Sequence, residues 1–170
     1  LRPTEEPRVL AMHRVIQEVI RACHPAPLAE LEQQLHDHAW ARANFLWEGW
    51  VQHENRWEIL PLAATAEFWM PQADGIGRSL AGQMTGPLQQ LMHLGKAESL
   101  LVAALHGLLP QRAGSAADSA TIVRRLDELP AHKDTSPLLN NLGQLLQATN
   151  RLGEAEPLMR RALEIDERSY

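Results

Sequence analysis

The sequence predicts an all-α protein in which helical hairpins stack on one another behind a helical spacer. Three observations carry this expectation. Apolar residues recur three and four positions apart through most of the chain, the period of a helix with one buried face. Apolar and polar residues nowhere alternate at period two, so no strands are predicted. The chain also repeats itself: LGKAESLLVAAL at 94–105 aligns with LGEAEPLMRRAL at 152–163, offset by 58 residues, with seven of the twelve positions identical.

The elements follow in order. Residues 1–8 hold two prolines among alternating charges and read as a lead-in. Val9 to Cys23 carries Met12, Val15, Ile16, Val19 and Cys23 on one helical face, and His24-Pro25-Ala26-Pro27 stops it, since a proline disfavours the helical conformation of the residue before it. A second helix runs from near Pro27 to about Trp50, with His36, Trp40, Ala43, Trp47 and Trp50 on one stripe and Leu28, Leu31 and Leu35 beside it. Asn55 is the expected N-cap of a third helix, Arg56 to about Trp69, burying Trp57, Leu60, Ala64 and Phe68. Pro61 should kink that helix or mark its true start. Met70–Gly77 is a loop by its Pro, Asp and Gly content.

A hairpin is predicted over 76–109. Gly82, Gly86 and Pro87 make its first helix poor, with a break or kink expected at Pro87, where a donor is lost. Residues 110–117 form a linker. A short helix over 120–129 turns Ile122, Val123, Leu126 and Leu129 inward, and 130–137 is a loop. The clearest hairpin occupies 136–168. Its first helix buries Leu138, Leu139, Leu142, Leu145 and Leu146; the turn falls at Thr149-Asn150-Arg151; its second helix buries Leu152, Ala155, Met159, Ala162 and Leu163. Gly143, Ala155 and Ala162 are small enough to let the two backbones approach closely.

This last segment resembles the tetratricopeptide repeat. The likeness runs through Leu142-Gly143 on the first helix and Ala155, Met159 and Ala162 on the second, with Leu139, Leu146 and Met159 where the family prefers aromatic residues. Its wording, LLNNLGQLL followed by LGEAEPLMRRALEID, is similar to the kinesin-light-chain-like repeats of bacterial proteins. The clear repeat covers about one fifth of the chain, and one hairpin cannot bury its own apolar face, so the poorer hairpin upstream is its expected neighbour. The resemblance implies a helical solenoid over 73–170 behind a spacer over 1–72.

A second resemblance covers the N-terminal half. Met12-His13-Arg14-Val15-Ile16-Gln17-Glu18-Val19-Ile20-Arg21, a Trp-containing helix, and Trp57-x-x-Leu60-Pro61 are similar to the segment that follows the nucleotide-binding domain in bacterial STAND/NB-ARC-type ATPases. It implies the spacer and first repeats of a signalling ATPase. The ATPase machinery is not in this stretch, which contains no GxxxxGK[ST] loop. The chain starts at Leu1 without an initiator Met and stops just after a repeat that ought to continue, so it reads as a piece of a larger protein.

Composition narrows the function classes. The 170 residues suffice for a sizeable core, and 45% hydrophobic with 22% charged residues is ordinary for a globular protein. A net charge of −5 without a basic cluster argues against nucleic acid as a partner. The longest apolar run, Leu100–Leu109, contains His106 and is too short to span a bilayer, and no secretory signal pattern is present. A lone Cys23 excludes an internal disulfide and suits the cytoplasm. No cofactor motif occurs: Gly75-Ile76-Gly77-Arg78-Ser79 lacks the strand and the third glycine of a dinucleotide fingerprint. His36 and His38, two apart, point to different helix faces, and in His53-Glu54 the second His of HExxH is replaced by Trp57, so no metal site is expected.

Protein–protein recognition without catalysis remains. Asn140, Gln144 and Gln147 lie at i, i+4 and i+7, away from the leucine face, with Asn141 adjacent. In the tetratricopeptide family such positions line a concave groove, and each amide offers both a donor and an acceptor to an extended peptide backbone. The same residues are equally explained as solvated amides on a helix surface. Tryptophans at helical spacing are ordinarily core; Trp50 and Trp69, near helix ends, are the candidates for an exposed interface. An open apolar face on the last hairpin is expected to support self-association. Two alternatives stand: a purely structural connector and repeat cap, and a histidine-based metalloprotein or helical hydrolase.

Overall fold

The computed structural model describes residues 2–3, 10–11, 29–48, 53–70, 75–110 and 117–168. It contains two compact units, 1–38 and 39–170. In the first, β1 (Arg2–Pro3) pairs antiparallel with β2 (Leu10–Ala11), Arg2 opposite Ala11 and Pro3 opposite Leu10. This corrects the expectation of no strands, and Leu10–Ala11 are extended where a helix was predicted. Two residues per strand leave no alternation for the sequence to display. The helical stripe Met12–Cys23 and Leu28 lie outside the described residues.

Helix α1 (Ala29–Glu48) runs from the first unit into the second. Its core face is Ala39, Ala43 and Leu46. Trp40 is half-buried against the core, whereas Trp47 is 51% exposed, so the buried stripe is rotated from the tryptophan stripe read in the sequence. A 3-10 turn over His53–Glu58 then leads into α2 (Ile59–Trp69). Pro61 is the third residue of α2, where its missing donor costs nothing because first-turn N–H groups have no intrahelical acceptor. The proline marks the true start. The residue before α2 is Glu58, not Asn55, and its carboxylate is engaged elsewhere: Arg42 of α1 donates to it from Nε at 2.7 Å and also from Nη2. That forked pair ties α1 to the head of α2.

The buried face of α2 is Ile59, Ala63, Ala66 and Trp69. The sequence-predicted face is displaced by a residue: Leu60 is 49% exposed, Phe68 74% exposed and Ala64 exposed, with Trp57 half-buried. In ILPLAATAEFW nearly every position is apolar, so periodicity does not select a face.

Helix α3 (Ile76–Gln90) packs against α2 and pairs with α4 (Leu94–His106) as the first hairpin. The α2–α3 crossing is tight, since a Cβ on Gly77 would stand 2.3 Å from the backbone nitrogen of Met70. Of the break or kink expected at Pro87, the break does not occur; α3 continues through it to Gln90. The residue before it is Gly86, which has no Cβ to clash with the proline ring.

Between the hairpins lie α5 (Ser119–Arg124) and a 3-10 turn (Leu126–Glu128). The single helix predicted there is divided at Arg125, but its inward residues hold: Ile122, Leu126 and Leu129 are buried and Val123 half-buried. The linker at 110–117 lies mostly outside the described residues.

The second hairpin is α6 (Thr135–Ala148) and α7 (Leu152–Arg168). All five predicted leucines of α6 are buried. On α7 the core face is Ala155, Leu158, Ala162 and Ile165, while Leu152 and Leu163, predicted inside, are exposed and Met159 is half-buried. The small residues act as expected. A Cβ on Gly143 would lie 2.6 Å from Met159 Cγ and 3.3 Å from the Ala155 carbonyl oxygen, and Ser136 Oγ donates to the Ala162 carbonyl at 3.3 Å.

Both hairpin turns share one geometry at the 58-residue offset. Met92 and Asn150 take left-handed φ values of 60° and 61°. The His93 N–H donates to Leu88 O and the Arg151 N–H to Leu146 O, each at 2.8 Å; Met92 N–H donates to Gln89 O and Asn150 N–H to Gln147 O. These are the paired bonds of a Schellman C-cap. The internal repeat is thus one of backbone as well as sequence.

Candidate protein-interaction face

Helix α6 lies against both helices of the first hairpin, α4 and α3. With its leucine stripe turned inward, the opposite stripe carries the amides. Gln144 and Gln147 are exposed and Asn140 half-buried. None of the three side chains hydrogen-bonds another described residue, so their donors and acceptors face outward unpaired. Asn141 differs: its Nδ2 donates to the Gly82 carbonyl of α3 at 3.4 Å, which makes it a strut between hairpins.

On α3 the positions equivalent to Asn140 and Gln144 at the same offset are Gly82 and Gly86. A Cβ on Gly82 would touch Leu138 Cδ2 at 3.5 Å, so α6 closes over it. A Cβ on Gly86 would fall 1.5 Å from Trp47 Cζ3, meaning that the indole of α1 lies flat on the glycine. The first hairpin therefore offers no amide ladder, and its outer face is partly covered by the chain's own tryptophan. The sequence showed the two glycines only as helix weakeners; the contact they permit could not be seen there.

Trp69 is 6% exposed, which corrects its assignment as an interface aromatic. Its ring meets that of Phe68 edge-on, centroids 6.4 Å apart, and Phe68 is the residue that faces solvent. Trp50 lies outside the described residues. The exposed aromatics of α1 and α2 are Phe45, Trp47 and Phe68, with Arg42 stacked 4.5 Å over the Phe45 ring.

Charged groups fasten the turn of the second hairpin to its surroundings. Arg151 donates to both oxygens of Glu154, at 2.9 and 2.8 Å, and to Glu98 of α4 at 2.6 Å; Ser119 of α5 donates to the same Glu98 oxygen at 2.5 Å. The Glu154 and Glu98 carboxylates raise the Arg151 pKa still further, so the guanidinium keeps its charge at any ordinary pH. Lys96 similarly reaches Glu67 of α2. Among the described residues, no three His, Cys, Asp or Glu side chains group as a metal site would require. Nor is any described helix long and apolar enough to cross a membrane.

No family model matches the chain, and neither curated proteins nor solved structures yield a match.

Proposed function

We propose that the chain is a protein-interaction module whose two hairpins form a tetratricopeptide-like stack, and that α6 presents its amide strip to an extended peptide segment of a partner protein. The observation that carries this reading is the row Asn140, Gln144 and Gln147, facing outward without internal partners on a helix held firmly by its neighbours. A peptide backbone in extended form exposes alternating donors and acceptors, and a rigid amide row satisfies both at low ordering cost. Recognition, not catalysis, suits a face with neither nucleophile nor base. The bacterial kinesin-light-chain-like affinity, the place within a STAND-type signalling protein and the cytoplasmic setting belong to the same proposal, resting on the sequence resemblances.

The test is selection of a displayed random-peptide library against the full chain, followed by affinity measurement on the enriched peptides. Asn140→Ala/Gln144→Ala is expected to weaken binding roughly thirtyfold, from two hydrogen bonds each worth about 1 kcal/mol, with helicity and melting temperature unchanged. Peptides that bind the double variant as tightly as the wild type would sink the groove reading. A second reading, a structural connector and repeat cap, draws support from Trp47 lying over Gly86: part of the same face is already filled from within.

A further inference from the structure

Residues 152–164 of α7 have counterparts on α4 at the 58-residue offset. Leu152, Met159 and Leu163 correspond to Leu94, Leu101 and Leu105. On α4, Leu101 and Leu105 are fully buried and Leu94 half-buried, because α5 and α6 pack against that helix. On α7 the same stripe is open, with Leu152 56% and Leu163 58% exposed and Met159 half-buried. Single exposed leucines are ordinary. Here the three apolar residues share one helical stripe, and its counterpart on α4 is a helix-packing surface. Within the stripe lie Glu156 and, at its edge, Arg160, paired with each other and both well exposed.

We propose that this face of α7 is a self-association surface covered by α7 of a second copy, running antiparallel about a two-fold axis near Leu158. A two-fold interface brings together residues placed symmetrically about its centre. Leu152 then meets Leu163 of the second copy, and Leu163 meets its Leu152. Glu156 falls beside the second copy's Arg160, and Arg160 beside its Glu156, while Met159 stays seated against Gly143 of α6 and only borders the contact. Charge selects the direction. Parallel pairing would set Glu156 against Glu156 and Arg160 against Arg160, whereas antiparallel pairing makes the helix complementary to itself. The core face of α7 is untouched, and so is the amide strip of α6, so this inference stands apart from the peptide-binding reading. A contact of one helix with one helix belongs to the weak, reversible class of interfaces.

Sedimentation equilibrium of the full chain over a concentration series reads it directly. The apparent mass is expected to rise from one chain toward two. Leu163→Glu should hold the chain at one, with its circular dichroism unchanged because the site is exposed, and Leu163→Ser provides a milder second variant. Glu156→Arg and Arg160→Glu singly are expected to weaken association about tenfold or more through like-charge contact. The double exchange Glu156→Arg/Arg160→Glu should return it to within about threefold of wild type. A mass of one chain at every concentration overturns the proposal and leaves the face to a different protein. So does association that survives Leu163→Glu. Single charge reversals with no effect, or a double exchange that fails to restore association, overturn the antiparallel arrangement.

Discussion

Met92 and Asn150 occupy the same left-handed turn position, yet only one of them suits it. Asparagine tolerates positive φ because its short amide bonds locally; a methionine there pays the steric cost of a Cβ close to the following carbonyl oxygen. Met92 is also 74% exposed, so little packing offsets that cost. Met92→Asn is therefore expected to stabilise the chain by about 0.5–1 kcal/mol in urea unfolding, and Met92→Gly by a similar amount. Asn150→Ala should do the reverse. Glycines divide by what confronts them. At Gly143 a new Cβ meets Met159 and the Ala155 carbonyl, so Gly143→Ala is expected to cost about 1–3 kcal/mol. At Gly86 only the half-exposed Trp47 ring is in the way, and Gly86→Ala should become less costly once Trp47→Ala has removed the ring. An unchanged Gly86→Ala penalty in that background would show that the ring contact is not what the glycine serves. The Asp118 cap of α5 is pH-sensitive. Hydrogen bonds from the Thr121 hydroxyl and N–H hold its carboxyl below the ordinary aspartate range. A carboxylate with a depressed folded pKa contributes fully above its unfolded value and loses that contribution as pH falls through the folded one. The melting-temperature gap between wild type and Asp118→Ala should therefore be steady at neutral pH and narrow as pH falls below the ordinary aspartate range.

Among the elements, legibility tracked contrast. The buried leucine face of helix α6 could be read because its leucines fall on one stripe and amides on the other, although the helix starts at Thr135, inside the loop expected over 130–137. The buried face of helix α2 could not, since Leu60 and Phe68 are as apolar as Ile59 and Trp69, and only the neighbours α3 and α4 decide which pair is covered. On α7 the sequence holds two apolar stripes, Leu158 with Ile165 and Leu152 with Leu163, and the first alone faces α6. Whether Pro87 breaks α3 or leaves it continuous depends in part on the residue before it, here a glycine. The amide strip was visible from spacing alone; the exclusion of Asn141 from it was not, because its partner Gly82 lies 59 residues away. Arg151 is the tie between elements that most invites removal. Arg151→Ala strips Glu98 and Glu154 of their shared cation, and about 1 kcal/mol of destabilisation is expected from a network this open to solvent, falling further at high salt.

At the scale of the whole molecule, the all-helical class was legible and the position of the compact units less so. Residues 39–70 belong with the hairpins in one unit, and among the contacts that bind them there are Lys96 with Glu67 and Trp47 on Gly86. None of these has a sequence signature. The same map of contacts has a kinetic meaning. Most helix packing in the second unit joins sequence neighbours, α2 with α3, α3 with α4 and α6 with α7, so much of it forms without closing long loops, and refolding should be fast for its size. The later, slower event is the meeting of the two hairpins across α5, which unites residues more than fifty apart at Glu98–Arg151 and Asn141–Gly82. Stopped-flow refolding of Arg151→Ala would then show the folding limb nearly unchanged and unfolding accelerated, because the hairpin turns form early and the bridge between them forms last.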